Sequence, residues 1–134
     1  MSSTPTPRPV QQPRPKYYDL NIAHLPPGGL VSIFHRVSGV LLFFPLVPLL
    51  LYVLQVSLGT EEGYARWHDF LARPAVKLVA LVFVWAYCHH FFAGIRFLFL
   101  DLHWGIAKAP ARATAMLVFV VSLLATVLIA WRIW

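Results

Sequence analysis

Two adjacent histidines, an arginine and an aspartate lie inside an apolar stretch, "AYCHHFFAGIRFLFLD", residues 86–101. On a helix of about 3.6 residues per turn, His90, Gly94 and Asp101 share one face, whereas His89 points about 100° away. An ionisable group inside a membrane is costly to desolvate and therefore indicates a function. A neutral imidazole there can hydrogen-bond across a helix interface or ligate a haem iron. A glycine one turn away lets a flat group or another helix come close.

A second polar face occurs earlier in the chain, in "LVSIFHRVSG". Ser32, His35, Arg36 and Gly39 have helical spacing, so one face offers a hydroxyl, an imidazole and a fixed positive charge. An arginine near a helix end can instead extend its charge to the lipid headgroups. The two polar faces would meet near one membrane surface if the helices that carry them are antiparallel.

The elements that carry these faces are apolar segments long enough to cross a bilayer. Of 134 residues, 59% are hydrophobic and 12% are charged, whereas soluble domains carry about 25% charged residues. Three segments reach the ~20 apolar residues that a span requires, and three spans in lipid must be helical. We predict an all-α integral membrane protein with a proline-rich tail and approach segment over residues 1–28 and a three-helix domain over 29–134. The helices are expected at about 30–58, 76–103 and 112–133.

The positive charge, +6 in total, is scattered between apolar runs rather than gathered into a stripe, which argues against nucleic acid as a partner. Lysine and arginine precede the first span and occupy the loop between the second and third spans. This pattern predicts a cytoplasmic amino terminus and a periplasmic carboxy terminus in a bacterial inner membrane. Three basic residues around the other loop reduce the asymmetry, namely Arg66, Arg73 and Lys77.

The motif "SIFHRVSG", followed by His90-x-x-x-Gly94-Ile95-Arg96 and then Asp101, resembles the cytochrome b subunits of succinate dehydrogenase, respiratory complex II. The resemblance covers roughly residues 14–134. It implies a membrane anchor that pairs with a second hydrophobic anchor subunit and holds the flavoprotein and iron-sulfur subunits on the cytoplasmic face. Electrons from succinate would then reach ubiquinone, and a haem b would lie between the two anchors.

The resemblance also implies roles for single residues. His90 matches the axial ligand of the haem iron, with the second ligand supplied by the partner anchor. His89 is an alternative ligand that the histidine doublet creates. Ser32 and Arg36 match positions that line the quinone pocket.

Three further positions follow from the same comparison of motifs. His35 and Arg96 would lie near the haem propionates, where donors and positive charge neutralise two carboxylates. Many relatives have a histidine directly after Gly-Ile-Arg, but this chain has Phe97 there, so that contact is missing. Asp101 is a candidate for the quinone site or for a proton path.

Succinate oxidation needs other subunits, because the sequence has no flavin or nucleotide fingerprint and only one cysteine, Cys88. We therefore expect no catalytic residue in this chain alone. Two alternatives stay open. One is a haem-free anchor of the fumarate reductase type, and the other is a small transporter or channel in which Arg36, Arg96 and Asp101 line an ion path.

Overall fold

The computed structural model describes residues 24–134, so most of the predicted tail lies outside the described residues. The described part is mainly helical and contains no strand, which confirms the all-α prediction. Three of its helical stretches are long and apolar enough to cross a membrane, and the chain is a multi-pass membrane protein. The elements are α1 Pro27–Leu41, a π-helical segment Leu42–Leu46, α2 Val47–Gly59, α3 Glu61–Leu71, α4 Pro74–Asp101 and α5 Lys108–Ile133.

The first span, Pro27–Gly59, is continuous over 33 residues, although its hydrogen-bonding pattern changes in the middle. The π-helical segment contains Pro45, which has no N–H to donate to the preceding turn. A wider π turn accommodates such a residue without breaking the helix, so the prolines do not divide the span.

The short helix α3 folds back onto the end of the first span. The Thr60 side chain caps it by accepting a hydrogen bond from Gly63 N at 3.0 Å, and Glu61 and Glu62 occupy the first turn, where the helix dipole favours negative charge. A Cβ at position 63 would collide with the carbonyl oxygen of Val56. Gly63 therefore allows α3 to approach α2 closely.

The helices α4 and α5 form an antiparallel pair, tied at one end by Lys77. Its Nζ donates to the carbonyl oxygen of Ile133 at 3.1 Å and lies 5.4 Å from the ring centroid of Trp134. At the other end α4 stops at Asp101, two residues before the predicted end. His103, inside the predicted helix, has a positive φ of 62° and does not continue it.

Small and weakly polar side chains occupy the contacts between helices. Val31, Ala93, Ala115 and Val118 form the buried cluster where α1, α4 and α5 meet. Small residues let helix backbones approach closely, which drives association in lipid, where burial of apolar area contributes little. Most of the large hydrophobic side chains point outward instead, as expected for a surface covered by lipid or by another membrane subunit.

Candidate functional site

The two polar faces predicted from the sequence meet where α1 packs against α4. The imidazole rings of His35 and His90 are stacked, with centroids 4.1 Å apart and planes inclined by 10°. Phe97 lies two turns after His90 on α4, and its ring packs against His35 with centroids 5.1 Å apart. The antiparallel arrangement of α1 and α4 therefore places an imidazole pair inside the membrane domain.

The hydrogen bonds of His90 determine which ring nitrogen carries its proton. Its Nδ1 lies 3.0 Å from the carbonyl oxygen of His35, and because a carbonyl can only accept, Nδ1 carries the hydrogen and donates it. The Ser38 hydroxyl donates to the same carbonyl at 2.9 Å and lies 3.2 Å from Nδ1. Nε2 has no hydrogen-bond partner in residues 24–134, so its lone pair is available to a ligand.

Two glycines make this contact between α1 and α4 possible. A Cβ at Gly39 would lie 3.0 Å from Cε1 of His90, which is tighter than ordinary contact. A Cβ at Gly94 would lie 3.7 Å from Nε2 of His35. Gly94 therefore faces α1 of the same chain. Because it has no side chain, the His35 ring can lie against α4 one turn after His90.

His89 occupies a different environment from its neighbour. The side chain is fully buried, and neither ring nitrogen has a hydrogen-bond partner among residues 24–134. Three aromatic rings surround it, with centroids 5.4 Å away for Trp85, 5.3 Å for Phe119 and 6.0 Å for Phe34. A group outside the bundle could reach His89 only by displacing these rings.

Arg96 lies on the α5 side of α4, away from the imidazole pair. Its Nε donates to Thr114 Oγ1 at 3.2 Å, and its Nη2 donates to the carbonyl oxygen of Ala111 at 3.1 Å. The same Nη2 lies 3.6 Å from the place where a Cβ of Gly28 would be. Arg96 thus joins α4 to the first turn of α5, beside the start of α1.

The remaining predicted site residues are on the periphery. Ser32 is half-buried and Arg36 is exposed, one turn further along α1. Asp101 is exposed at the end of α4, and no described cation forms an ion pair with it. The fold therefore brings His35 and His90 together but leaves Ser32, Arg36 and Asp101 without a shared contact.

One supporting residue was not identified from the sequence. Ser38 bonds to the carbonyl that holds His90, and it is almost fully buried. The sequence contains a signal for this bond, because Ser38 lies three residues after His35 and a helical serine commonly bonds to a carbonyl of the preceding turn.

The donor set suits a haem better than a bare metal ion. Within the described chain there is no group of three or more histidine, cysteine, aspartate or glutamate side chains that could hold a metal ion. A haem needs only axial ligands from protein, and a ligating histidine typically donates its other ring N–H to a backbone carbonyl. His90 fits this pattern, because its Nδ1–H donates to the carbonyl of His35 and its Nε2 is left for an iron.

Comparison with known proteins identifies the family of this chain. A family profile described as the succinate dehydrogenase/fumarate reductase transmembrane subunit matches residues 11–129. The chain belongs to this family. It is therefore the membrane-anchor subunit of a complex II enzyme, and the family assignment made from the paired motifs is confirmed.

Individual members of the succinate dehydrogenase/fumarate reductase transmembrane subunit family align over nearly the whole chain. The succinate dehydrogenase cytochrome b556 subunit of Coxiella burnetii is 38% identical over 122 residues, which cover 90% of this chain and 97% of the relative. The subunit of the same name from Rickettsia typhi is 34% identical, with 90% and 93% covered. The relative from Rickettsia felis is 32% identical, with 94% and 98% covered.

Proposed function

We propose that this chain is the haem b-bearing anchor of a succinate:ubiquinone oxidoreductase. The observation that carries the proposal is the hydrogen bond from His90 Nδ1 to the carbonyl of His35, which leaves Nε2 as a ligand. The aligned relatives are named cytochrome b556 subunits, a name that refers to a haem protein. A haem b held at His90 would carry single electrons through the membrane domain.

His90 is the proposed axial ligand in this chain, and the second ligand would come from the second anchor subunit. The neighbouring His89 is the alternative, but its enclosure among aromatic rings favours His90. The Ser38 hydroxyl supports the carbonyl that fixes the His90 ring, and such outer partners orient a metal ligand.

His35 and Arg96 are the proposed partners of the haem propionates. Helical side chains tilt toward the start of their helix, so the His35 ring extends from α1 toward the end that carries Gly28, and it lies beside Gly94. Arg96 keeps Nη1 for a propionate, because α5 uses only its Nε and Nη2.

Ubiquinone reduction is proposed to use Ser32 and Arg36. Ubiquinone gains two electrons and two protons, with the electrons supplied by succinate through the iron-sulfur subunit. A hydroxyl donor and a guanidinium one turn apart on α1 can bind the quinone carbonyl and stabilise negative charge that develops on its oxygen. Both side chains are accessible from outside the bundle, and Asp101 is proposed as an exposed acid for proton delivery at the same end.

The outward apolar surface is the proposed contact for the second anchor, and the flavoprotein and iron-sulfur subunits are proposed to sit on the cytoplasmic face. Half or more of each of several large side chains on the first span is exposed, including Phe43, Phe44 and Leu51. Lipid or a second hydrophobic subunit can cover such a surface inside a membrane.

The test is purification of the assembled complex followed by a reduced-minus-oxidised absorption spectrum. We expect flavoprotein, iron-sulfur and second anchor subunits to copurify, with a six-coordinate b-type spectrum. A complete complex without haem absorbance would instead identify a haem-free anchor of the fumarate reductase type. Purification without soluble subunits would favour the transporter or channel alternative.

A topology experiment tests the proposed orientation in the inner membrane. Three spans place the two chain ends on opposite sides, and the positive flanks predict that the amino terminus is cytoplasmic. A reporter fused before Met1 should therefore be active in the cytoplasm, and one fused after Trp134 in the periplasm. Two reporters active on the same side would contradict the orientation and the three-span arrangement.

A further inference from the structure

Two cavities outside the imidazole pair meet at the Arg96 side chain. One is a groove of about 510 Å³ between α4 and α5. The other is a cleft of about 460 Å³ between the approach to α1, the end of α4 and the first turn of α5. Arg96 lines both, so the groove and the cleft adjoin along its guanidinium.

The groove is mainly apolar. Its lining is mainly aromatic and aliphatic, including Phe92, Phe99, Leu117 and Val121. Two polar residues of the lining, Arg96 and Thr114, are bonded to each other at 3.2 Å, and Trp104 adds an indole N–H. A polar ligand would find few hydrogen-bond partners here, whereas a hydrocarbon chain would pack against the apolar side chains.

The cleft has the opposite character. Its lining includes Arg96, Lys108 and Arg112, and no acidic side chain of the described residues contributes to it. Lys108 and Arg112 are exposed and form no ion pair with the described chain. The cleft therefore presents to an anion two cations that no described acidic side chain neutralises.

The positions of the two cavities relative to the bilayer match an apolar groove for an acyl chain and a basic cleft for a headgroup. The groove follows α5 from Thr114 to Val121, a rise of about 10 Å, which is most of the ~15 Å thickness of one hydrocarbon leaflet. Trp104 lines the groove just beyond the end of α4, and indoles favour the headgroup region. The cleft lies at the membrane surface, where basic pockets between helices bind anionic headgroups.

We propose that the groove and the cleft together bind one anionic phospholipid, with an acyl chain in the groove and its phosphate between Lys108 and Arg112. Arg96 forms the shared wall of the two cavities through its bonds to α5. The phosphate contact is separate from the haem and quinone assignments, because neither Lys108 nor Arg112 belongs to those sites. Arg96, a proposed propionate partner, contributes only the wall that the two cavities share.

The test measures lipid binding to the purified, delipidated complex. Phosphatidylglycerol and phosphatidylcholine with identical acyl chains are titrated in detergent micelles, and bound lipid is counted by native mass spectrometry. We expect the unaltered complex to prefer phosphatidylglycerol. The double variant Lys108→Gln, Arg112→Gln should lose roughly 10- to 30-fold of its phosphatidylglycerol affinity, since each basic residue near an anionic headgroup contributes about one decade or less.

Two further variants separate the headgroup contact from the acyl-chain contact. Leu117→Trp places an indole in the groove and should weaken both lipids equally. Arg132→Gln removes an exposed arginine at the opposite end of α5 and should leave both affinities unchanged. Haem absorbance and succinate oxidation with a soluble dye serve as readouts of assembly, and neither should change in the double variant.

Several results would overturn the proposal. One is a double variant that keeps its preference for phosphatidylglycerol, and another is an equal loss in Arg132→Gln. Competition by inorganic phosphate alone would show a site for free anions rather than for a lipid. Loss of the iron-sulfur subunit from the double variant, or of the second anchor from Leu117→Trp, would show that protein covers these cavities.

Discussion

His90→Ala is expected to remove most of the haem from the assembled complex. The variant deletes an imidazole whose Nδ1 donates to a backbone carbonyl and whose Nε2 is therefore left for a ligand. Changes in the outer partners of a metal ligand already cost about 10- to 100-fold in affinity, so loss of the ligand itself should lower haem affinity at least about tenfold. The measurement is haem content per flavin, together with the reduced-minus-oxidised spectrum.

The matched control is His89→Phe, which keeps an aromatic ring in the enclosure of Trp85, Phe34 and Phe119. It removes two buried nitrogens that have no hydrogen-bond partner, so stability should be unchanged or slightly higher. The six-coordinate spectrum should remain. Haem loss in His89→Phe together with a normal spectrum in His90→Ala would transfer the ligand assignment to His89.

Arg36→Leu is expected to assemble and to oxidise succinate normally with a soluble dye, yet to reduce ubiquinone at least ~10-fold more slowly. That factor corresponds to about 1.4 kcal/mol of lost transition-state stabilisation. The physical reason is that negative charge develops on the quinone oxygen during reduction, and a nearby guanidinium stabilises it more than it stabilises the neutral ground state. The measurement is kcat/KM for ubiquinone beside the rate with the dye.

Two companion variants distinguish quinone chemistry from anchoring at the headgroups. If Arg36 only extends to the membrane surface, Arg36→Lys should behave like the unaltered chain and Arg36→Leu should mainly disturb insertion. Ser32→Ala should chiefly raise the apparent KM for quinone, because a neutral hydrogen bond contributes only about 0.5–1.5 kcal/mol. Normal ubiquinone reduction by an assembled Arg36→Leu complex would disprove the quinone-pocket assignment and leave the haem and anchor assignments intact.

The helical period allowed some of the site to be anticipated. The spacing of His90, Gly94 and Asp101 placed them on one face and set His89 apart from them, and in the fold the two histidines indeed have separate surroundings. Periodicity has this power because a continuous helix fixes the angle between any two of its side chains. It fails where the helix stops, because α4 ends at Asp101 and His103, which the predicted helix included, has a positive φ.

Periodicity did not indicate what would pack against each face. Gly94 was expected to admit a porphyrin or another helix, and in the fold it faces His35 of the same chain. The helical spacing of Arg96 likewise gave no indication that its Nε and Nη2 bond to the first turn of α5. Such contacts depend on the relative rotation and depth of neighbouring helices, which are set by side-chain packing between segments distant in sequence.

The sequence by itself determined that the chain is helical and crosses a membrane three times, because backbone groups in lipid must be satisfied within each segment. It also determined the family, through two motifs in a fixed order. Only the tertiary structure decided that His90 donates through Nδ1 to the carbonyl of His35 and that His89 is enclosed by aromatic rings. The reason is that a hydrogen bond or an enclosure between helices requires atoms from different segments to reach one place, and only the packed bundle brings them there.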